Sequence, residues 1–253
     1  MSEPVPLARF AFAFGRIAEI YDRERPEYAA EAIERAFEAL ELSHDARVVD
    51  LAAGTGKLTR RLAERVAHVV AVEPDDGMRA VLEATTPAAA VLNGTAESIP
   101  VADASADAVF VGDAFHWFEG EAALGEIARV LRPRSGLALL WNQWWQVEPA
   151  LPEAATSILQ ELYERTGRAL LFGDTDAWPA AFEGSRFEPL RKEEFRRELT
   201  LTPAQVVALY STVSGLASLD HAEREDVERR LGELLEGSYR LPVKTELHWT
   251  RLR

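Results

Sequence analysis

The residues best suited to chemistry lie in the segment VVDLAAGTGKLT, residues 48–59. Asp50 stands at the end of an apolar, β-branched run, and the turn Gly54-Thr55-Gly56 follows it. Glycine lets a backbone come close to a ligand where a Cβ atom would collide. Such a turn after a strand is typical of sites for nucleotides and other adenosine-containing cofactors, although Gly-x-Gly is also a common tight turn.

Two familiar nucleotide-binding patterns do not fit this segment. A Walker-type phosphate loop needs a glycine where this chain has Leu51, and a serine or threonine where it has Leu58. A dinucleotide-binding turn needs a third glycine where the chain has Thr59, so that the helix can pack close to the strand. The first pattern fails twice and the second is a poor match.

A third interpretation is a site for a methionine-linked adenosine. Asp50 would offer negative charge to an ammonium group, and Glu73 ends the next predicted strand, where a carboxylate can accept both ribose hydroxyls. An acidic residue at that position also suits NAD. Glu73 alone therefore leaves both cofactors open.

Buried strands must position these groups. Continuous apolar runs alternate with amphipathic helices through the first half of the chain, which is typical of a parallel sheet covered on both faces. The predicted strands are 47–51, 68–73, 88–92, 108–111 and 136–141, and the predicted helices are 29–42, 57–66, 78–84 and 121–131. The later segments 153–166, 203–214 and 222–235 resemble helices, and 187–200 and 243–252 resemble strands. We expect an α/β, doubly wound, mixed seven-stranded sheet with a helical insertion or lid.

Composition limits the class of partner. The 253-residue chain has a formal net charge of −14, which disfavours a nucleic-acid partner because phosphate binding relies on Lys and Arg. It has no cysteine, so disulfides and thiolate chemistry are excluded, and its histidines lack metal-ligand spacing. No apolar run has the length of a bilayer span and no secretion signal is visible. We expect a cytoplasmic protein with no membrane partner and no metal; the oligomeric state stays open.

Further polar and aromatic residues follow the fourth and fifth predicted strands, at the edge where open α/β sheets bind ligands. His116 is the candidate general base because its ordinary pKa is close to neutral pH; the alternative is that it only lines the pocket. Asp113 is a candidate for cofactor contact. The rings around Trp117 and Trp144 can stabilise a cation or hold an apolar acceptor, or they can be core packing.

Five motifs together resemble a known family. In chain order they are VVDLAAGTGKLT, VVAVEPDDGM, NGTAESIPVADASADAVFV, GDAFHWF and ARVLRPRSGLALLWN, within about 47–142, and YDRERPEY upstream is a further match. The chain resembles class I S-adenosylmethionine-dependent methyltransferases, in the small-molecule branch that includes trans-aconitate and quinone-biosynthesis methyltransferases. The resemblance implies a Rossmann-like fold, S-adenosylmethionine as cofactor and a small-molecule methyl acceptor. An NAD-dependent oxidoreductase and a non-catalytic S-adenosylmethionine-binding protein are the alternatives.

The resemblance also implies the site residues. Those assigned to the cofactor are Asp50, Ala52, Gly54, Thr55, Gly56, Leu58, Glu73, Pro74, Met78, Thr95, Ala96, Glu97 and Asp113. Those assigned to the substrate are Tyr21, Arg25, Trp117, Asn142 and Trp144. Thr95 stands where the family has an aspartate near the adenine, and Ala52 where the family commonly has glycine. We expect one domain over 1–253, with a core at about 29–142 and 186–253, a helical insertion at about 143–185, and residues 1–28 covering the cofactor site.

Overall fold

The fold is taken from a computed structural model, which describes residues 14–144, 151–166 and 178–253. Residues 1–13 of the predicted N-terminal cover, and 145–150 and 167–177 of the predicted insertion, lie outside the described residues. Within the described residues, no helix combines the length and apolarity needed to cross a membrane.

The described residues contain a seven-stranded sheet in the order β3-β2-β1-β4-β5-β7-β6. The strands are β1 (Arg47–Leu51), β2 (His68–Val72), β3 (Ala90–Leu92), β4 (Ala106–Gly112), β5 (Leu131–Gln143), β6 (Arg191–Leu201) and β7 (Tyr239–Arg251). The order reverses between β1 and β4, so the sheet is doubly wound. The predicted fold class is confirmed.

Among the described residues, two α helices precede the first strand and the others lie between strands. The helices are α1 (Ala18–Glu24), α2 (Ala30–Leu40), α3 (Lys57–Ala63), α4 (Asp76–Thr85), α5 (Gly120–Val130), α6 (Glu153–Thr166), α7 (Pro203–Tyr210), α8 (Ser214–Ala217) and α9 (His221–Leu234). Short 3₁₀ helices cover Phe14–Ile17, Phe115–Trp117 and Trp178–Phe182. Several helices begin where a side chain accepts a backbone N–H, as at Asp75 before α4 and Thr202 before α7.

The sheet is mixed because β7 runs antiparallel to both of its neighbours, β5 and β6. β1 pairs in parallel with β2 and β4, as do β2 with β3 and β4 with β5. The N–H of Leu252 bonds the carbonyl of Ser135, whereas Thr245 bonds Asn142, so the β7 region runs antiparallel to β5. Parallel strands need long crossovers, and those between β1 and β2, β2 and β3, and β4 and β5 contain the helices at 57–63, 76–85 and 120–130.

Successive residues along the central strands belong in turn to two hydrophobic clusters, one on each face of the sheet. One contains Val49, Val109 and Leu139 together with the apolar face of α5, and the other contains Val48, Phe110 and Leu140 with residues of α2 and α3. This period of two places the strands between two helical layers. The sheet is thus buried on both faces, as its continuous apolar runs predicted.

The chain divides into two compact units. Unit 1 comprises 1–26, 143–174 and 197–243, and its described core is helical, built on α6, α7 and α9 around Trp144. Unit 2 comprises 27–142, 175–196 and 244–253 and contains β1 to β4 with nearly all of β5.

Candidate functional site

The register of the parallel strands brings Asp50 and Glu73 to one edge of the sheet. Leu51 of β1 is paired with Val72 of β2, so Asp50 and Glu73 lie one residue on either side of this pair. Both carboxylates are buried, with Asp50 0% and Glu73 6% exposed. Two acidic groups with so little exposure are costly unless protein or ligand groups satisfy them.

Glu73 holds the glycine turn. Its Oε2 accepts the N–H of Gly54 at 2.8 Å and its Oε1 accepts the N–H of Asp75 at 2.9 Å. Burial raises the pKa of Glu73, and the two backbone hydrogen bonds oppose that rise. Each carboxylate oxygen has a second lone pair, so Glu73 can still accept ligand hydroxyls while it holds the turn.

Asp50 is held by the residue that broke the dinucleotide pattern. The hydroxyl of Thr59 donates to Asp50 Oδ2 at 2.6 Å. Burial, and secondarily the negative charge of Glu73, raise the pKa of Asp50 to about 7, against the Thr59 bond that lowers it. Among the described residues, nothing donates to Asp50 Oδ1 or to the buried hydroxyl of Thr55. These are sites that a polar ligand or water would satisfy.

The two glycines of the turn serve different purposes. Both have positive φ, 58° at Gly54 and 88° at Gly56. A Cβ atom on Gly56 would lie 2.5 Å from Leu82 Cδ1, so this glycine is required by packing against α4. A Cβ atom on Gly54 would meet nothing within 4 Å, so the space beside Gly54 is open to a ligand. Only Gly54 fits the expectation that glycine makes room for the cofactor.

Ala52 lies in the left-handed region as well, with φ 55°. That conformation costs an L-residue roughly 1–2 kcal/mol relative to glycine, because Cβ approaches the following carbonyl oxygen. The change from the family's glycine is therefore small in volume and strained in its backbone.

The other residues assigned to the cofactor are placed in several ways. Leu58 is buried in the cluster beneath α3, so its side chain faces the core. Met78 is buried and Pro74 half-buried at the start of α4. In the loop after β3, Thr95 is exposed, Ala96 is buried and Glu97 accepts the N–H of Glu119 at 3.0 Å. Their contacts with a cofactor stay predictions.

Asp113 connects the ends of β4 and β5 with residues before α2. Its Oδ1 accepts the N–H of Asn142 and its Oδ2 accepts the hydroxyl of Tyr28, both at 2.9 Å. The side chain of Asn142 bonds the carbonyl of Glu27 at 2.9 Å and accepts Thr245 at 2.6 Å. Asp113 and Asn142 therefore organise this edge; their predicted ligand contacts stay predictions.

Residues 27–29 form a strap at this edge, and residues 27 and 28 belong to the segment that the sequence predicted to cover the cofactor site. Besides the Tyr28 and Glu27 bonds above, the Glu27 carboxylate lies 2.6 Å from the buried ammonium of Lys57. The N–H of Ala29 bonds Thr245 at 3.1 Å. The partners of the strap come from α3, β5, β7 and the residue after β4, so the strap joins segments that are far apart in sequence.

His116 and Trp117 lie on the 3₁₀ helix after β4, with ring centroids 4.7 Å apart. Their neighbours Phe115 and Trp141 are buried. The ring centroid of Trp178 lies 5.8 Å from that of Phe115 and 4.5 Å from that of Trp141. These aromatic residues therefore belong to the core of unit 2. The base role of His116 and the substrate role of Trp117 stay predictions.

The remaining substrate candidates lie in unit 1. The guanidinium of Arg25 stacks over the rings of Tyr21 and Trp144 at 5.1 Å and 5.3 Å, and bonds the carbonyl of Thr212 at 2.8 Å. Trp144 is 0% exposed and packs edge-on against Tyr210. Arg25 is thus fixed by two aromatic rings; the substrate contacts of Tyr21, Arg25 and Trp144 stay predictions.

Comparison with known proteins agrees with this fold and its glycine turn. Residues 49–139 match the family model described as a methyltransferase domain. An uncharacterised methyltransferase-like protein of Schizosaccharomyces pombe is 31% identical over 85% of this chain and 82% of its own length. The chain belongs to the class I S-adenosylmethionine-dependent methyltransferases.

Other relatives extend the comparison. An uncharacterised methyltransferase of Mycobacterium tuberculosis is 48% identical over 132 residues, 52% of this chain and 53% of its own length. The chain thus spans about half the length of the mycobacterial relatives that it matches. A solved Anabaena variabilis protein, assigned as a methyltransferase from an antibiotic biosynthesis pathway, superposes with TM-score 0.60 at 19% identity. That alignment covers 88% of this chain and 98% of the other. Such low identity shows the fold alone.

Proposed function

We propose that this chain transfers the methyl group of S-adenosylmethionine to a small-molecule acceptor. The observation that carries the proposal is the pair of buried carboxylates, Asp50 and Glu73, at strand ends next to a turn in which the space beside Gly54 is open. The pair matches a ligand that is cationic at one end and carries vicinal hydroxyls at the other.

The donor groups fit that ligand one by one. Asp50 Oδ1, which lacks a donor among the described residues, would accept the ammonium group of the methionine part. Glu73 would accept the ribose hydroxyls with its second lone pairs. Ligand binding would then relieve the two carboxylates that burial makes costly.

The protein's part in the reaction is mainly alignment. Bound S-adenosylmethionine supplies an activated methyl group, and transfer is an in-line displacement at its carbon. The chain has to hold the acceptor in line and exclude water, which together can supply several kcal/mol of the barrier. The strap at 27–29 fixes the edge of the sheet through Asp113 and Asn142, which gives the site a rigid frame.

The acceptor is proposed to bind near the 3₁₀ helix that carries His116 and Trp117. His116 would take the proton from an oxygen or nitrogen acceptor, because its ordinary pKa is close to the working pH. The net charge of −14 supports a small molecule over a nucleic acid. A cytoplasmic location is proposed because the chain has no cysteine and no apolar run long enough to span a bilayer.

Calorimetric titration with S-adenosylmethionine, S-adenosylhomocysteine and NAD tests the cofactor. We expect binding of the first two and no NAD response; tight NAD binding without a response to S-adenosylmethionine would overturn the proposal. Transfer of labelled methyl into a panel of carboxylates, phenols and quinone precursors then tests the reaction. Cofactor binding without transfer to any member of that panel or to a cell metabolite extract would favour the non-catalytic alternative.

A further inference from the structure

The strand β6 presents an exposed edge of the sheet. It is the last strand in the order and pairs only with β7 in the part of the chain that the structure describes. Residues 191–194 are exposed, and from Phe195 onward half-buried and exposed residues alternate. An edge strand offers a row of backbone N–H and C=O groups to any strand that can pair with it.

The charges of β6 are arranged for pairing with a copy of itself. Residues 191–198 read RKEEFRRE, with Phe195 as the single uncharged residue. When two identical strands pair antiparallel about a two-fold axis, the residue on the axis faces its own copy. A charged residue on the axis would therefore repel its copy in the second chain. Within residues 191–198, only Phe195 can lie on the axis without this repulsion.

With Phe195 on the axis, every charged residue of the inner segment meets an opposite charge. The opposing pairs are Lys192 with Glu198, Glu193 with Arg197, and Glu194 with Arg196. Directly opposite residues lie on the same face of a sheet, about 4.5–5.5 Å apart, where opposite charges stabilise and like charges destabilise.

Moving the two-fold axis by one residue along β6 places like charges opposite each other. With the axis at Glu194, Lys192 would face Arg196; with the axis at Arg196, Glu194 would face Glu198. Charges placed only to block edge-to-edge association need not form such a self-complementary set. The pattern therefore selects one antiparallel register.

We propose that β6 pairs antiparallel with β6 of a second copy of this chain, with Phe195 on the two-fold axis, so that two sheets form one continuous sheet across a symmetric dimer. The side chains are already held in place by partners within the chain, as in the ion pairs of Glu193 with Arg35 and of Lys192 with Glu246, both at 2.9 Å. Such anchoring lowers the entropy lost when the second copy binds. Phe195 packs partly on the cluster around α2, and its half-buried ring leaves surface for its counterpart.

Sedimentation velocity over a range of concentrations tests the dimer. We expect the unaltered chain to dimerise, Arg196→Glu to weaken dimerisation at least tenfold, and Glu194→Arg/Arg196→Glu to restore it. The double variant keeps the net charge of the unaltered chain, and thermal melting checks that each variant is folded. If the unaltered chain stays monomeric at every concentration, the proposal is overturned, even if the β6 edge binds some other partner. A dimer whose stability does not change with Arg196→Glu also overturns it.

Cysteine cross-linking tests the register, and it is clean because the chain contains no cysteine. Under mild oxidation, a mixture of Glu194→Cys and Arg196→Cys chains should form a mixed disulfide, since opposite residues lie within disulfide reach. The matched control mixes Glu194→Cys with Glu198→Cys, which face each other only in the register with Arg196 on the axis. Equal or faster cross-linking in the control contradicts the proposed register. These experiments do not require methyl transfer, so their outcome tests the dimer independently of the proposed function.

Discussion

The carboxylate of Glu73 accepts the backbone N–H of Gly54 at 2.8 Å and so joins the end of β2 to the turn after β1. The residue proposed to bind the ribose thus also shapes the turn. Any variant of Glu73 changes both, and an experiment has to separate the two effects.

We expect Glu73→Ala to weaken S-adenosylhomocysteine binding at least tenfold in calorimetry, because it removes the acceptor for both ribose hydroxyls and loosens the turn. The 2′,3′-dideoxy analogue separates these contributions. The unaltered chain should bind the analogue less tightly than the parent, whereas Glu73→Ala should bind the two alike. Unchanged affinity in the variant, or an undiminished preference for the hydroxyls, would rule out the ribose role.

The raised pKa of Asp50, about 7, predicts that part of the folding stability falls as pH rises. Between its ordinary value of 3.8 and about 7, the unfolded chain ionises this group while the folded chain keeps its proton. Stability contributed by Asp50 therefore declines across this window and is constant above it. Denaturant unfolding from pH 4 to pH 8 should show the decline, and Asp50→Asn should remove it.

Cofactor binding should reverse this protonation. An ammonium group beside Asp50 favours the carboxylate, so binding at pH 6 should release a proton, seen as a binding enthalpy that depends on the buffer's ionisation enthalpy. Asp50→Asn provides the control and should show no such dependence. Buffer-independent enthalpy in the unaltered chain would exclude an ionisation of Asp50 on binding.

The two turn glycines form a matched pair of sites. Gly56→Ala should destabilise the fold by more than 1 kcal/mol, because its Cβ meets Leu82 in addition to the strain of positive φ. Gly54→Ala should cost about 1 kcal/mol from strain alone, yet reduce cofactor affinity because its Cβ fills open space. Unfolding midpoints and calorimetry measure both. Equal losses of stability with no change in affinity would contradict the distinction.

Ala52→Gly should stabilise the fold by about 1 kcal/mol, since glycine adopts the left-handed conformation without the Cβ penalty and this gain exceeds the added entropy of the unfolded chain. Chemical denaturation gives the value. The matched control is Ala53→Gly. Ala53 is not among the described residues with positive φ, so this variant should leave the stability unchanged or lower it. Destabilisation at both positions would show that φ strain at Ala52 is negligible.

If His116 is the general base, His116→Ala should lower turnover of an oxygen or nitrogen acceptor at least a hundredfold and leave cofactor affinity within a few-fold. The limb of the pH–rate profile that rises with pH should also disappear. His116→Phe keeps an aromatic ring beside Trp117 but cannot accept a proton, so it should lose turnover to the same extent if packing is not the cause. Turnover that survives His116→Ala would remove this role.

The sequence by itself determined the sheet and the two acidic strand ends. Continuous apolar runs that alternate with amphipathic helices are local patterns, and they sufficed to predict the doubly wound sheet that positions Asp50 and Glu73. Predicted ends were less accurate: the fifth strand, expected at 136–141, is Leu131–Gln143. Strand ends depend on pairing with neighbours, which local patterns do not specify.

Only the tertiary structure decided which residue serves which purpose at the edge. The need for glycine at position 56 comes from Leu82 on α4, and the strap at 27–29 is fixed by Lys57, Asp113, Asn142 and Thr245. Thr59, which at first only broke a motif, proved to be the hydrogen-bond donor to Asp50. Each of these contacts joins segments whose approach depends on the packing of the whole sheet, so local sequence patterns cannot specify them.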